Sequence, residues 1–478
     1  MTDPAVRMRL YCHGLGDCNL VGLPRSDGST FWILIDCGIH SSAAKGAERV
    51  RAVVANIAAL TSRLDVIVGT HEHWDHLSGF LQAAGQFAGI DIGEVWFSWA
   101  ENPSDPDARR FDRYKANSAA ALASASLRLH ESGSAQLAEL ADGIDSVLGF
   151  VFGAAGERVR DARERLRGLG RVRHLSPGDI APLPPDVTGL RICVLGPPRD
   201  RKLLGIEDSP ADTYGLDLGT AGTMPFANGI AVNEGRMRVD DDPGSPFDGQ
   251  EGVPLAGLLR GEWGNVEGGA AQFIYERYLA PEASGADQQW RRIDGDWLAA
   301  GADLAIQLDS RTNNSSLVLT FEMIESGQVL LFAADALVGN WRSWPSVTFP
   351  PRTPESASVT GSDLVGRTVF YKVGHHGSGN ATLAADGLER MDGTQLTAFN
   401  PTDESLAGRV GWRDFPAPKL TQRLRERTSG RYIQSDADWV HDRTKPMPVR
   451  PGGALRSIVV GDDPDAPYVD LLIGGSPA

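Results

Sequence analysis

The stretch THEHWDH, residues 70–76, gathers His71, His73, Asp75 and His76 within six positions. The chain has 10 His among 478 residues, so three in one short segment is more than a polar loop needs. Imidazoles two positions apart on an extended loop can face one metal ion, while Asp75 and His76 turn toward a second. Mixed nitrogen and oxygen donors suit zinc, with manganese or iron as alternatives. Two such ions about 3.5–4 Å apart can hold a substrate oxygen and share a hydroxide, which is metal-assisted hydrolysis. Asp75 is then the group that holds or accepts the proton of that water.

Two later stretches carry matching residue types. Asp335 closes the apolar run QVLLFAAD at 328–335. A carboxylate directly after a buried strand needs a partner, which a metal pair would supply. The same residue could instead cap a helix or sit on a solvated turn. His375 and His376 follow TVFYKV and precede Gly377 and Ser378. They are either part of the same site or two surface imidazoles.

The elements around these residues must bring them together. LDVIVG at 64–69 is a β-branched, apolar run and reads as a buried strand, and 77–87 has helical spacing. The donors therefore sit on a loop at the C-terminal end of a strand, where open α/β sheets place their chemistry. Upstream, 7–12, 19–23 and 31–35 read as strands, the last ending in Asp36-Cys37-Gly38, and 47–60 reads as an amphipathic helix. Strand character recurs at 93–99, 172–175, 190–195, 315–323, 328–335, 368–373, 396–399, 432–435, 455–460 and 469–473, with a helix at 418–428. Residues 106–170, rich in Ala, Leu, Arg and Glu, read as a helical insertion with helices near 111–129 and 157–169. Residues 200–305 lose periodicity and are dominated by Gly, Pro and Asp, with an acidic run at 234–248. A loop of that length is a lid over the site mouth or a solvated elaboration.

Hydrophobic content of 41% is enough for a substantial core. The net charge of −16 disfavours long duplex DNA as a partner and leaves small phosphodiesters or single-strand ends open. No apolar run approaches the roughly 20 residues of a membrane span, and residues 1–14 lack the apolar region of a signal peptide. Cys12, Cys18, Cys37 and Cys193 are too few for a disulfide framework and read as small buried thiols. A cytoplasmic protein is the expectation.

THEHWDH resembles the signature of the metallo-β-lactamase superfamily. The ordered set of motifs resembles one branch of it, the ComEC-like hydrolases related to the DNA-uptake competence protein. Gly14-Leu15-Gly16-Asp17 is similar to that branch's GxGD turn, Asp36-Cys37-Gly38 to its Asp-x-Gly strand end, and NNSSLVL from Asn313 to its Asn-rich turn. Asp335-Ala336 and HHGS at 375–378 complete the set, and Asn400-Pro401 with Pro416 echoes its late segment, with Phe415 where a His is common. The likeness covers 7–100, 170–200 and 312–475.

The resemblance implies an α/β fold, an αββα sandwich of two mixed sheets flanked by helices. It makes 1–478 one metallo-β-lactamase-like domain interrupted by the insertions at 106–170 and 200–305. It implies that His71 and His73 bind one ion, that Asp75, His76 and a strand-end His bind a second, and that Asp335 bridges both. His376 is the expected ligand, since the family's last metal His directly precedes a small residue; His375 then contacts substrate or donates a proton. Asp17 and Asp36 would orient ligand imidazoles. Many relatives carry one more His before the bridging Asp. Only His130 and His174 lie in that interval, and neither has ligand context.

The implied cofactors are two divalent ions, zinc first and manganese second. The implied activity is hydrolysis of phosphodiesters, either single-stranded nucleic acid or a small molecule. Hydrolysis of carbon esters, amides or lactones is the alternative, and a non-catalytic partner-binding protein on the same fold is the third reading. The branch's membrane channel is not implied here.

Overall fold

The computed structural model describes residues 3–131, 141–145, 157–205, 273, 276–277, 300–352, 356–412 and 414–475. Its contacts divide the chain into two compact units. One comprises Met1–Arg113, Gly149–Leu218 and Asp309–Ala478; the other comprises Tyr114–Leu148 and Gly219–Leu308. The 200–305 insertion expected from composition falls almost wholly outside the described residues, so its role as a lid stays an expectation. Of the 106–170 insertion, the described parts are the helices Pro106–Glu131 and Glu157–Arg167 and residues 141–145 and 168–170.

The first unit holds two mixed sheets. In chain order the strands of the first are β1 (Ala5–Tyr11), β2 (Asn19–Pro24), β3 (Thr30–Ile35), β4 (Arg63–Gly69), β5 (Asp91–Ser98) and β6 (Arg171–Leu175). The second is built from β7 (Ile180–Ala181), β8 (Leu190–Gly196), β9 (Val318–Met323) and β10 (Val329–Phe332). A small hairpin, β11 (Thr348–Phe349) with β12 (Val359–Thr360), precedes β13 (Thr368–Lys372), β14 (Thr397–Asn400) and β15 (Tyr432–Gln434). The chain closes on β16 (Leu455–Val460) and β17 (Tyr468–Gly474). The sheet orders are β16-β17-β1-β2-β3-β4-β5-β6 and β15-β14-β13-β10-β9-β8-β7. β3 to β6 run parallel in the first, and β10, β13, β14 and β15 run parallel in the second.

Alternation along the strands builds three layers of apolar contact. Phe31, Ile33 and Ile35 of β3 point between the sheets, together with Leu330 and Phe332 of β10 and Leu319 and Phe321 of β9. Trp32 and Leu34 point outward against Val50, Val53 and Ile57 of helix α1 (Gly46–Leu60) and Leu77 and Phe80 of helix α2 (Trp74–Gln82). Val329 and Leu331 point outward on the other side, against Trp341, Leu364, Leu420 and Leu424. Each such side chain, fully buried, contributes about 1.5–3 kcal/mol. The result is helix, sheet, sheet, helix, as the resemblance implied.

Two expected strand ends shift for one physical reason, which also acts just after β3, whose end stands where expected. β10 stops at Phe332, and Ala334 takes φ 48° before Asp335. β13 stops at Lys372, and His375 and His376 take φ 44° and 52° in a tight turn. Asp36, just after β3, has φ 58°. These left-handed residues are not glycines, and such conformations cost of order 1–3 kcal/mol each. They turn the chain sharply at the strand ends, which sets Asp335 and His376 beside Asp75 and His76. The helical span expected at 77–87 starts earlier and is broken once: α2 runs from Trp74 to Gln82, and a helical turn follows at Ala84–Phe87. His73, extended at φ −113° and ψ 154°, caps it, and its carbonyl accepts the amides of His76 and Leu77. Asp75 and His76 thus stand in the first turn of a helix, where a carboxylate is favoured, and not on the preceding loop.

Candidate metal centre

The parallel strands deliver every predicted site residue but Asp17 to one end of the sandwich; Asp17 comes from the turn between the antiparallel β1 and β2. Thr70 to His76 follow β4, Asp36 follows β3, Asp335 follows β10, and the His pair follows β13. The two sheets are tied there by the Leu317 amide, which donates to the Thr70 carbonyl at 2.8 Å. Glycines make close packing feasible. A side chain at Gly16 or Gly38 would overlap the backbone at Asp75. That contact lets the Asp17 amide donate to the Asp75 carbonyl at 3.1 Å and the Cys37 amide to the His76 carbonyl at 2.9 Å. The GxGD and Asp-x-Gly pieces are therefore braces for α2.

Asp75, His76, Asp335 and His376 place one donor atom each within 4.8 Å of one another. All four are fully buried. His376 Nε2 lies 2.7 Å from Asp75 Oδ2 and its Nδ1 faces the Pro401 carbonyl at 2.7 Å. His76 Nε2 lies 3.0 Å from Asp335 Oδ2, while its Nδ1 faces Asp36 Oδ2 at 2.8 Å. Asp75 Oδ1 is buried with no hydrogen-bond partner among the described residues. A buried set of carboxylates and imidazoles with an orphaned carboxylate oxygen fits a divalent cation.

His71 and His73 lie beside this group. His71 Nε2 and His73 Nδ1 are 3.0 Å apart, and His71 Nε2 is 4.0 Å from Asp335 Oδ2. The far nitrogen of His73, Nε2, is 3.7 Å from Asp309 Oδ1. His375 is turned differently from His376. Its amide donates to Asp335 Oδ1 at 3.1 Å, and its buried ring Nδ1 has no hydrogen-bond partner among the described residues.

Asp17, Asp36 and His76 form a second cluster of donor atoms. Its geometry is that of a holder. Asp36 takes His76 Nδ1 and also accepts from the Thr70 amide at 2.9 Å and hydroxyl at 2.7 Å. Asp17 is ion-paired to the Lys372 ammonium, which also donates to the Ala334 carbonyl at 3.3 Å and stands 3.6 Å from Asp335 Oδ1. A buried ammonium inside this cluster leaves the side facing Asp75 and Asp335 as the one suited to cations.

Electrostatics separates the imidazoles. Burial drives His71 well below its ordinary range and His73 down to about 3, so both are neutral and offer lone pairs. Burial also opposes charge on His76 and His376, but Asp335, Asp75 and Asp36 around the first raise it well above its usual value. The Asp75 hydrogen bond and nearby Asp335 raise His376 as well. Burial would lift Asp75 and Asp335; His76 with His376, and for Asp335 also Lys372, outweigh it and hold both carboxylates ionised. Burial lowers the His375 imidazole to about 4. On Lys372 burial works against the charge, and Asp17 and Asp335 overcome it and raise the ammonium.

Lys372 and Asp309 were not singled out from sequence. Lys372 had a usable signal, a lone charge in the apolar strand TVFYK. Asp309 had none, being one polar residue in the helix Ala300–Asn314. The other two His in the interval stand apart. His130 pairs with Asp145 at 3.0 Å on an exposed helix, and His174 stacks on Phe97 with ring centroids 6.3 Å apart. All four cysteines are free and buried, and no described helix is long and apolar enough to cross a membrane.

The family model for the metallo-beta-lactamase superfamily matches residues 14–130. That span holds the GLGD turn, Asp36 and the whole His motif; Asp335 and the His pair lie beyond it. No curated protein matches the chain. The two mixed sheets flanked by helices are the sandwich of that superfamily. The likeness and the donor cluster together point to a metal-dependent hydrolase.

Proposed function

We propose that this chain hydrolyses phosphodiester bonds with two divalent ions, zinc in first place and manganese in second, in the manner of the ComEC-like branch. The observation that carries the reading is convergence. Asp17, Asp36, Asp335 and His376, each from a separate motif of that branch, meet around His76 although they span most of the chain. In this reading His71 and His73 would hold one ion, Asp75, His76 and His376 would hold the other, and Asp335 would serve both. Bound divalent ions supply Lewis acidity and acidify a water near neutral pH.

The protein's own groups do the remaining work. Asp36 fixes the His76 ring, and Lys372 absorbs the charge of Asp17, so the cations' excess positive charge is left for an anionic diester. Asp75, ionised, takes the proton of the attacking water. His375, whose buried ring Nδ1 has no hydrogen-bond partner among the described residues, hydrogen-bonds the diester. The test is a panel on the metal-replete chain: bis-p-nitrophenyl phosphate, nitrocefin, a lactone and single-stranded DNA. Chelator-sensitive turnover of the diesters above the others supports the reading; turnover of nitrocefin or the lactone with none on a diester overturns it.

A further inference from the structure

An arc of four aromatic rings borders the donor cluster. The His375 ring meets Phe415 edge-on, centroids 5.6 Å apart; Phe415 meets Trp412 at 5.2 Å; Trp412 meets the His40 ring edge-on at 5.1 Å. The His375 end belongs to the site. The His375 amide binds Asp335, and the fields of Asp75 and His376 act on His40. The two end rings are buried, at 7% and 4% exposure, whereas Trp412 and Phe415 are half-buried.

Trp412 and Phe415 belong to none of the hydrophobic cores that hold the layers together. They are nevertheless fixed. The Trp412 amide donates to the Ala407 carbonyl at 2.9 Å, and the Ala417 amide donates to the carbonyl of Gly377, in the His turn itself, at 2.8 Å. A rigid apolar surface beside a polar reaction centre suits a flat ring, because stacking needs area and no hydrogen-bond match.

We infer that Trp412 and Phe415 form the wall that holds a nucleobase-type ring on the retained side of the diester. They thereby select nucleotide esters over alkyl esters. The inference rests on the phosphodiesterase reading and narrows its substrate class. Phe415, at a position where the branch commonly has a His, becomes a specificity residue.

The test compares two esters with one leaving group, thymidine 5′-(p-nitrophenyl phosphate) and methyl p-nitrophenyl phosphate, on the metal-loaded full chain. Trp412→Leu and Phe415→Leu should each raise KM for the thymidine ester by about tenfold, leave the methyl ester and the metal content unchanged, and Phe415→Tyr should restore the thymidine ester. An equal loss on both esters, or no loss on either, overturns the wall. If the wild-type chain hydrolyses neither ester, the phosphodiesterase reading falls, and calorimetry with thymidine 5′-monophosphate and methyl phosphate decides the wall alone. A preference for the nucleotide that both Leu variants lose supports it; equal affinities overturn it.

Discussion

His76 Nε2 stands 3.0 Å from Asp335 Oδ2 across 259 positions of chain. One imidazole thereby joins the helix after β4 to the loop after β10, and its other nitrogen is held by Asp36. Asp335→Asn keeps the volume and removes the charge that would serve both ions. Metal affinity should fall by more than the roughly 10–100-fold typical of an outer partner of a metal ligand. Elemental analysis after dialysis checks this, and wild-type stoichiometry in the variant would remove Asp335 from the centre.

The His pair separates into two roles. His376 puts Nε2 on Asp75, whereas His375 meets the cluster through its amide. His376→Ala should lose metal. His375→Ala should keep metal and lose turnover. The opposite pattern would exchange the two assignments.

Asp309 faces the outer nitrogen of His73 at 3.7 Å. A carboxylate there is placed to orient the ring that offers Nδ1 toward His71. Asp309→Asn should weaken binding at the His71–His73 side by about 10–100-fold and leave the other side intact. A cobalt titration should then show one strong and one weak absorption step; two unchanged steps would show that Asp309 does not orient the ring.

The His motif was legible because its donors are contiguous and follow an apolar strand. Asp335 and His376 were legible because each ends an apolar run that a charge has no reason to end. The exact turns were not, since Ala334, His375 and His376 adopt left-handed backbone without glycine, which leaves no mark in composition. Asp309 was not, because its relation to His73 is purely tertiary. The αββα layering was legible only through the resemblance, since β3 and β10 are continuous apolar runs whose residue types do not tell one face from the other, whereas the small hairpin β11–β12 has too few residues to show a period.

At the edge of the first sheet, Glu94 accepts from Arg173 at 3.0 Å and from Trp96 at 2.8 Å and is also paired with Arg171. The Arg173 hydrogen bond above all lowers its carboxyl from 4.5 to about 2. A lowered folded value stabilises above the unfolded value and is lost as pH falls through the folded one. Glu94→Gln should cost about 0.2–1 kcal/mol at neutral pH, the range of partly exposed pairs. The gap to wild type should close as pH drops from 4.5 toward 2. Urea midpoints at several pH values check it; a gap that is constant with pH would assign the loss to packing.

The central claim is that the ends of β4, β10 and β13 build a two-ion centre. Diffraction from zinc-soaked crystals on both sides of the zinc absorption edge tests it most directly. Two anomalous peaks are expected. One should be bounded by Asp75, His76, Asp335 and His376, and the other should lie against His71 and His73 with Asp335 between them. Peaks confined to the Asp17–Asp36 side of His76, or none among these residues at saturating zinc, would contradict it.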